Sequence, residues 1–159
     1  MEQVASLIQA MLAPGIMISA CGLLILGMNN KYSLVVNRIR ALNEEKRKYA
    51  KSADTKDFEY FDEIRLKSIS VQLNSLIIRL SLVKNAVVCY SVGVGCFVIT
   101  SIWIGIGMVV TKTELLNFGI ISIVFFVLGM TIVLVGITFA ARESIKGYEI
   151  VSFELKADE

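Results

Sequence analysis

Two adjacent amides, Asn29 and Asn30, are the residues of this chain best placed to do chemistry. They end a run of 28 residues, Gln3–Asn30, that holds no Asp, Glu, Lys or Arg. Side-chain amides can replace part of an ion's hydration shell without holding the ion too tightly, so a ring of them at the end of a membrane pore would pass ions. The same amides have a plainer reading: they mark the membrane edge by hydrogen-bonding Asn85 or Ser81 on a second helix. In an antiparallel pairing Asn30 would fall level with Asn85, and Asn37 close to Arg79, so such a polar cluster is within reach. Deeper along the same helix, Arg38 and Arg40 could bind lipid headgroups or control ion entry at an inner vestibule. Their plainer role is inner-side anchoring together with ion pairs to neighbouring carboxylates.

Other chemistries find little support. The chain has no histidine, no carboxylate within the uncharged runs and no phosphate-binding loop, so no enzyme activity and no cofactor are expected. Cys21, Cys89 and Cys96 lack zinc-ligand spacing and read as small buried hydrophobes. The stretch "SADTKDFEYFDE" carries Asp54, Asp57, Glu59, Asp62 and Glu63. Its spacing does not match a calcium loop and its turn lacks glycine, so Asp54, Asp57 and Glu59 read as a solvated acidic tip rather than a metal site. No nucleic-acid partner is implied. A charge-coupled transporter is disfavoured too, because such machines keep ionisable groups at membrane depth.

The elements that must position these residues are set by charge placement. Besides the first run, residues 85–111 and 115–141 are free of Asp, Glu, Lys and Arg for 27 positions each. Each run exceeds the ~20 residues needed to cross a bilayer core of roughly 30 Å, so three membrane spans are expected. Lys31–Lys84 holds 12 of the 16 basic residues against 7 acidic ones. The positive-inside rule then puts that segment and the C-terminus in the cytoplasm, and the N-terminus outside.

Residues 1–13 are amphipathic and precede Pro14-Gly15, which predicts an outer interfacial helix, a bend, and span one over 14–30. One long kinked helix beginning near Val4 is the alternative. Between spans one and two, residues 31–84 show two apolar seams. Val35, Ile39, Leu42 and Tyr49 lie on one arm; Ile69, Leu73, Leu76, Leu80 and Val83 lie on the other. With "ADTKD" at 53–57 as the turn, they predict an antiparallel helical hairpin projecting roughly 30 Å or more. Span two occupies 85–111 and offers Ser91 and Gly95 four residues apart, and also Thr100, Ser101, Gly105 and Gly107, as small packing positions. Span three, 115–141, carries Gly119, Ser122, Phe126, Gly129, Val133, Gly136 and Ala140 at alternating steps of 3 and 4, a close helix–helix seam. Gly147 is expected to end the third helix, leaving 142–159 as a cytoplasmic tail that is either a docked strand or a frayed amphipathic segment.

The opening third resembles a known family. Pro14 after an amphipathic start, Ser19-Ala20-Cys21-Gly22, Asn29-Asn30 and Arg38-Ile39-Arg40 are similar to the pattern of a bacterial family of small three-span membrane proteins. That family is catalogued as domain of unknown function 2721. The resemblance implies a bacterial inner-membrane protein and brings no assigned activity.

The expectation is therefore an all-α membrane protein of three spans with a long cytoplasmic hairpin between the first two. It should assemble as a homo-oligomer in contact with membrane lipids. The expected function is passive ion conduction, with span one lining the pore through Ser19, Gly22, Leu26, Asn29 and Asn30. Glu2 and Glu114 at the outer mouth favour cations, whereas the basic hairpin opposes them. The competing expectation is a non-conducting scaffold or regulator whose hairpin recruits a partner.

Overall fold

A computed structural model describes residues 2–52, 60–109 and 115–157 of the chain. All of them are helical, in three elements: α1 (Glu2–Ser52), α2 (Tyr60–Val109) and α3 (Leu115–Ala157). The expected turn at 53–57 lies outside the described residues, as do Glu114 and the acidic positions Asp54, Asp57 and Glu59. Each helix contains a stretch long and apolar enough to cross a membrane. At 1.5 Å per residue, the 51 residues of α1 extend about 75 Å, more than twice the thickness of a bilayer core. The span and the segment after it are thus one unbroken helix, passing through Asn29 and Asn30 without a turn.

Two expected breaks do not occur. Pro14 lies inside α1, so residues 2–13 are not a separate helix. Proline removes one backbone donor, and in an apolar helix the remaining ladder carries the chain across. At the other end α3 continues past Gly147 to Ala157, so the described part of the tail is helix rather than strand. Gly147 has a packing reason to be glycine, given below.

The chain divides into two compact units. The first comprises residues 1–28 and 85–140. Within it, α2 and α3 pack through an exchange of large and small residues. A methyl group added to Gly129 would lie 2.9 Å from Phe97 Cε1 and 3.0 Å from Cys96 Cβ. One added to Gly136 would meet the Tyr90 ring at 2.7 Å, and one on Gly93 would meet Val133 at 2.5 Å. As residue numbers rise along α3 their partners fall along α2, so these two helices run antiparallel in this unit. Phe97 also tilts against Phe126, with centroids 5.5 Å apart. Tyr90, Phe97 and Ala86 are buried; of the small residues expected on α2, Thr100 is buried whereas Ser91 and Gly95 are exposed.

The second unit comprises residues 29–84 and 141–159. Its apolar core is Val35 and Leu42 from α1 with Ile69, Leu73 and Leu76 from α2, flanked by Ile39, Tyr49 and Leu80. These are the two seams anticipated from the sequence. Along α1, buried positions recur every seven residues: Pro14, Cys21 and Met28 in the first unit, Val35 and Leu42 in the second. A strict seven-residue repeat is the signature of left-handed coiled packing.

Candidate functional site

The most developed polar arrangement lies in the second unit and centres on Glu143. Three helices supply it. Glu143 projects from α3 with its side chain 2% exposed, and both of its oxygens are used. Lys31 of α1 donates from Nζ to Oε2 at 3.0 Å, and Arg79 of α2 donates from Nη2 to Oε1 at 2.8 Å. Lys31 Nζ also donates to Ser144 Oγ at 2.8 Å. Burying a carboxylate costs several kcal/mol even after the protein relaxes, and only close cations with good geometry offset that cost. Two cations on one acid leave the cluster with a net positive charge.

Gly147 explains how the guanidinium fits. It lies one turn beyond Glu143 on α3, and a methyl group there would approach Arg79 Nη2 to 2.9 Å and Cζ to 3.2 Å. The missing side chain is the seat of the guanidinium. Arg79 Nε is buried with no hydrogen-bond partner, and the guanidinium reaches Glu143 through Nη2. A second, more exposed pair ties α1 to α2, where Arg65 Nε and Nη2 both reach Glu45 Oε1, at 2.9 and 2.8 Å. None of these groups is a nucleophile poised for reaction. The arrangement is an ionic clamp that holds three helices at one level.

Glu143 was not singled out by the sequence reading, yet its signal was present. The α3 seam that ends at Ala140 continues by the same steps of 3 and 4 to Glu143 and Gly147. A charged residue in register with a packed seam must be buried, and a buried acid requires cations.

The anticipated pore residues stand elsewhere. Ser19, Gly22, Leu26, Asn29 and Asn30 fall within one face of α1, and all five are exposed. Ser19 Oγ donates back to Gly15 O at 3.2 Å. Arg38 and Arg40 are exposed as well. Glu2 lies in the first turn of α1, and its side chain, like Glu114, lies outside the described residues. Among the described residues no group of three or more acids or cysteines could hold a metal ion.

With this geometry in place, the comparison with known families is decisive on one point. The family described as "Protein of unknown function (DUF2721)" matches residues 11–152. The chain belongs to that family. The match takes in the exposed amide stripe, the clamp and the α2–α3 seam alike, so the DUF2721 unit extends over all three helices and beyond the opening third. No curated protein and no solved structure matches the chain.

Proposed function

We propose that this DUF2721 member is a homo-oligomeric ion channel of a bacterial inner membrane, most suited to cations, with α1 lining the pore. The observation that carries this reading is the exposed stripe Ser19, Gly22, Leu26, Asn29, Asn30 on α1. Amides facing hydrocarbon would be costly, whereas amides facing a water-filled axis are at home. Two further features support assembly. Only 17%, 28% and 22% of the apolar windows of α1, α2 and α3 are buried within the chain, which leaves broad faces for lipid and for neighbouring copies. On α2, Ile64, Val71 and Ile78 recur every seven residues and are exposed by 49%, 62% and 45%, a second seam turned away from the chain's own core.

In this reading the N-terminus is outside and residues 31–84 form an antiparallel hairpin in the cytoplasm. The Glu45–Arg65 pair and the meeting of Lys31 and Arg79 at one carboxylate are compatible with that pairing, since 45 with 65 and 31 with 79 fit one register. The clamp would then fix the hairpin to the inner end of α3. Leu26, one turn before the amides, would gate by dewetting.

Single-channel recording from purified protein in planar bilayers tests this, wild type against Asn29→Leu/Asn30→Leu. Ohmic unitary currents are expected, with conductance or selectivity altered in the double variant. Unchanged currents would move the lining away from α1. Silence from intact oligomers would overturn conduction and favour the scaffold reading, in which the exposed α2 seam recruits a partner.

A further inference from the structure

We propose that the cavity among the three helices of the first unit holds one alkyl chain of a bilayer lipid whose headgroup carries a hydrogen-bond donor, and that this donor meets the backbone carbonyl of Ala10. The cavity has a volume of about 370 Å³, and its walls include Ala10 and Pro14 from α1, Thr100 and Trp103 from α2, and Gly119 and Phe126 from α3. Its lining is almost wholly apolar. It lies beyond the α2–α3 seam, which is filled by Phe97 against Gly129 and Tyr90 against Gly136. A space of this kind at membrane depth is filled from the surrounding solvent, which there is lipid.

The specific feature is Pro14. In an α-helix the carbonyl of residue 10 accepts from the N–H of residue 14, and proline has none. Both Pro14 and Ala10 line the cavity, so the turn of α1 that lacks this hydrogen bond borders it. In hydrocarbon such a group needs a donor. Thr100 does not serve, because its Oγ1 donates to Cys96 O at 2.9 Å on its own helix. A hydroxyl or ammonium group on the amphiphile would complete the ladder at Ala10 while the alkyl chain fills the space below. This inference needs α1, α2 and α3 to lie in a bilayer and is independent of whether the protein conducts.

The chain contains one tryptophan, Trp103, and it lines the cavity, so the protein carries its own reporter. Purified oligomer in detergent is titrated with a terminally brominated long-chain alkanol and with the matching bromoalkane, and quenching of Trp103 fluorescence is followed. Saturable quenching is expected from both, with the alkanol half-saturating at a concentration about threefold to tenfold lower, the worth of one neutral hydrogen bond. Pro14→Ala restores the N–H to Ala10 and should abolish that preference while leaving bromoalkane quenching intact. Gly119→Leu should remove the saturable quenching by both. A methyl group at Gly119 meets nothing within 4 Å, so the first carbon of the new side chain has room and the rest is directed to the space that Gly119 lines. An unchanged helical signal in circular dichroism is the check on folding. Quenching that rises without saturation, that survives Gly119→Leu, or that never distinguishes alkanol from alkane would overturn the proposal. So would an absence of quenching in the intact oligomer, which would show a neighbouring copy seated there instead.

Discussion

Glu143 shows how much depends on one buried atom pair. Its side chain is 2% exposed, against 21% for Arg79 and 44% for Lys31. The energetic consequences should be as uneven as the exposures. Removing the acid strands a largely buried guanidinium beside Gly147, and breaking a buried pair from one side costs about 3–5 kcal/mol. Loss of Lys31 leaves Glu143 still paired with Arg79, and a half-exposed pair is worth about 1 kcal/mol or less. Thermal unfolding in detergent should therefore show Glu143→Leu far less stable than Lys31→Met. Adding Arg79→Leu to Glu143→Leu should recover part of the loss, because two apolar residues need no partners. Equal losses from the Glu143 and Lys31 variants would mean that desolvation does not set the energetics of the clamp.

At the level of elements, the seam between α2 and α3 separates glycines that are required from glycines that are not. Gly129→Ala would press a methyl group against the ring of Phe97 and the Cβ of Cys96, neither of which is the free end of a flexible chain. Overpacking of this kind costs about 1–3 kcal/mol. Gly95→Ala meets nothing within 4 Å and should be neutral or gain up to about 1 kcal/mol from helix propensity. The same thermal measurement on the pair checks this, and equal behaviour would remove the seam as a stabilising contact. The spacing of Gly129, Val133 and Gly136 was legible because small residues at steps of 3 and 4 mark close approach in lipid. Their partners were not. Ser91 and Gly95 are small positions of α2, but a small residue on one helix makes room for a large one on the other, and Tyr90 and Phe97 take that room. Pro14 and Gly147 misled for a related reason. Breaker rules describe helices that can trade backbone bonds for water, whereas an apolar helix keeps its ladder, and Gly147 is fixed by the guanidinium it admits.

For the whole molecule, three helices long and apolar enough to cross a membrane were evident from charge-free runs alone, since few other sequences hold 27 residues without Asp, Glu, Lys or Arg. What a single chain does with its remaining surface is decided by the positions its own core leaves out. In the second unit that core takes Ile69, Leu73 and Leu76 from α2 and excludes Ile64, Val71 and Ile78. The excluded three keep a spacing of seven, and a β-branched apolar residue at every seventh position is what a partner helix requires. Placing carboxylates there tests assembly without touching the internal core. Val71→Glu with Ile78→Glu should shift the purified protein from oligomer to smaller species in light scattering, while circular dichroism keeps its helical signal. Unitary currents should disappear along with the oligomer, since no single chain encloses a pore. If instead the oligomer persists, contacts between copies reside in the apolar segments and the α2 stripe is left for a different molecule. In that event the scaffold reading gains the surface it needs, and Val71 and Ile78 become the first positions at which to look for its partner.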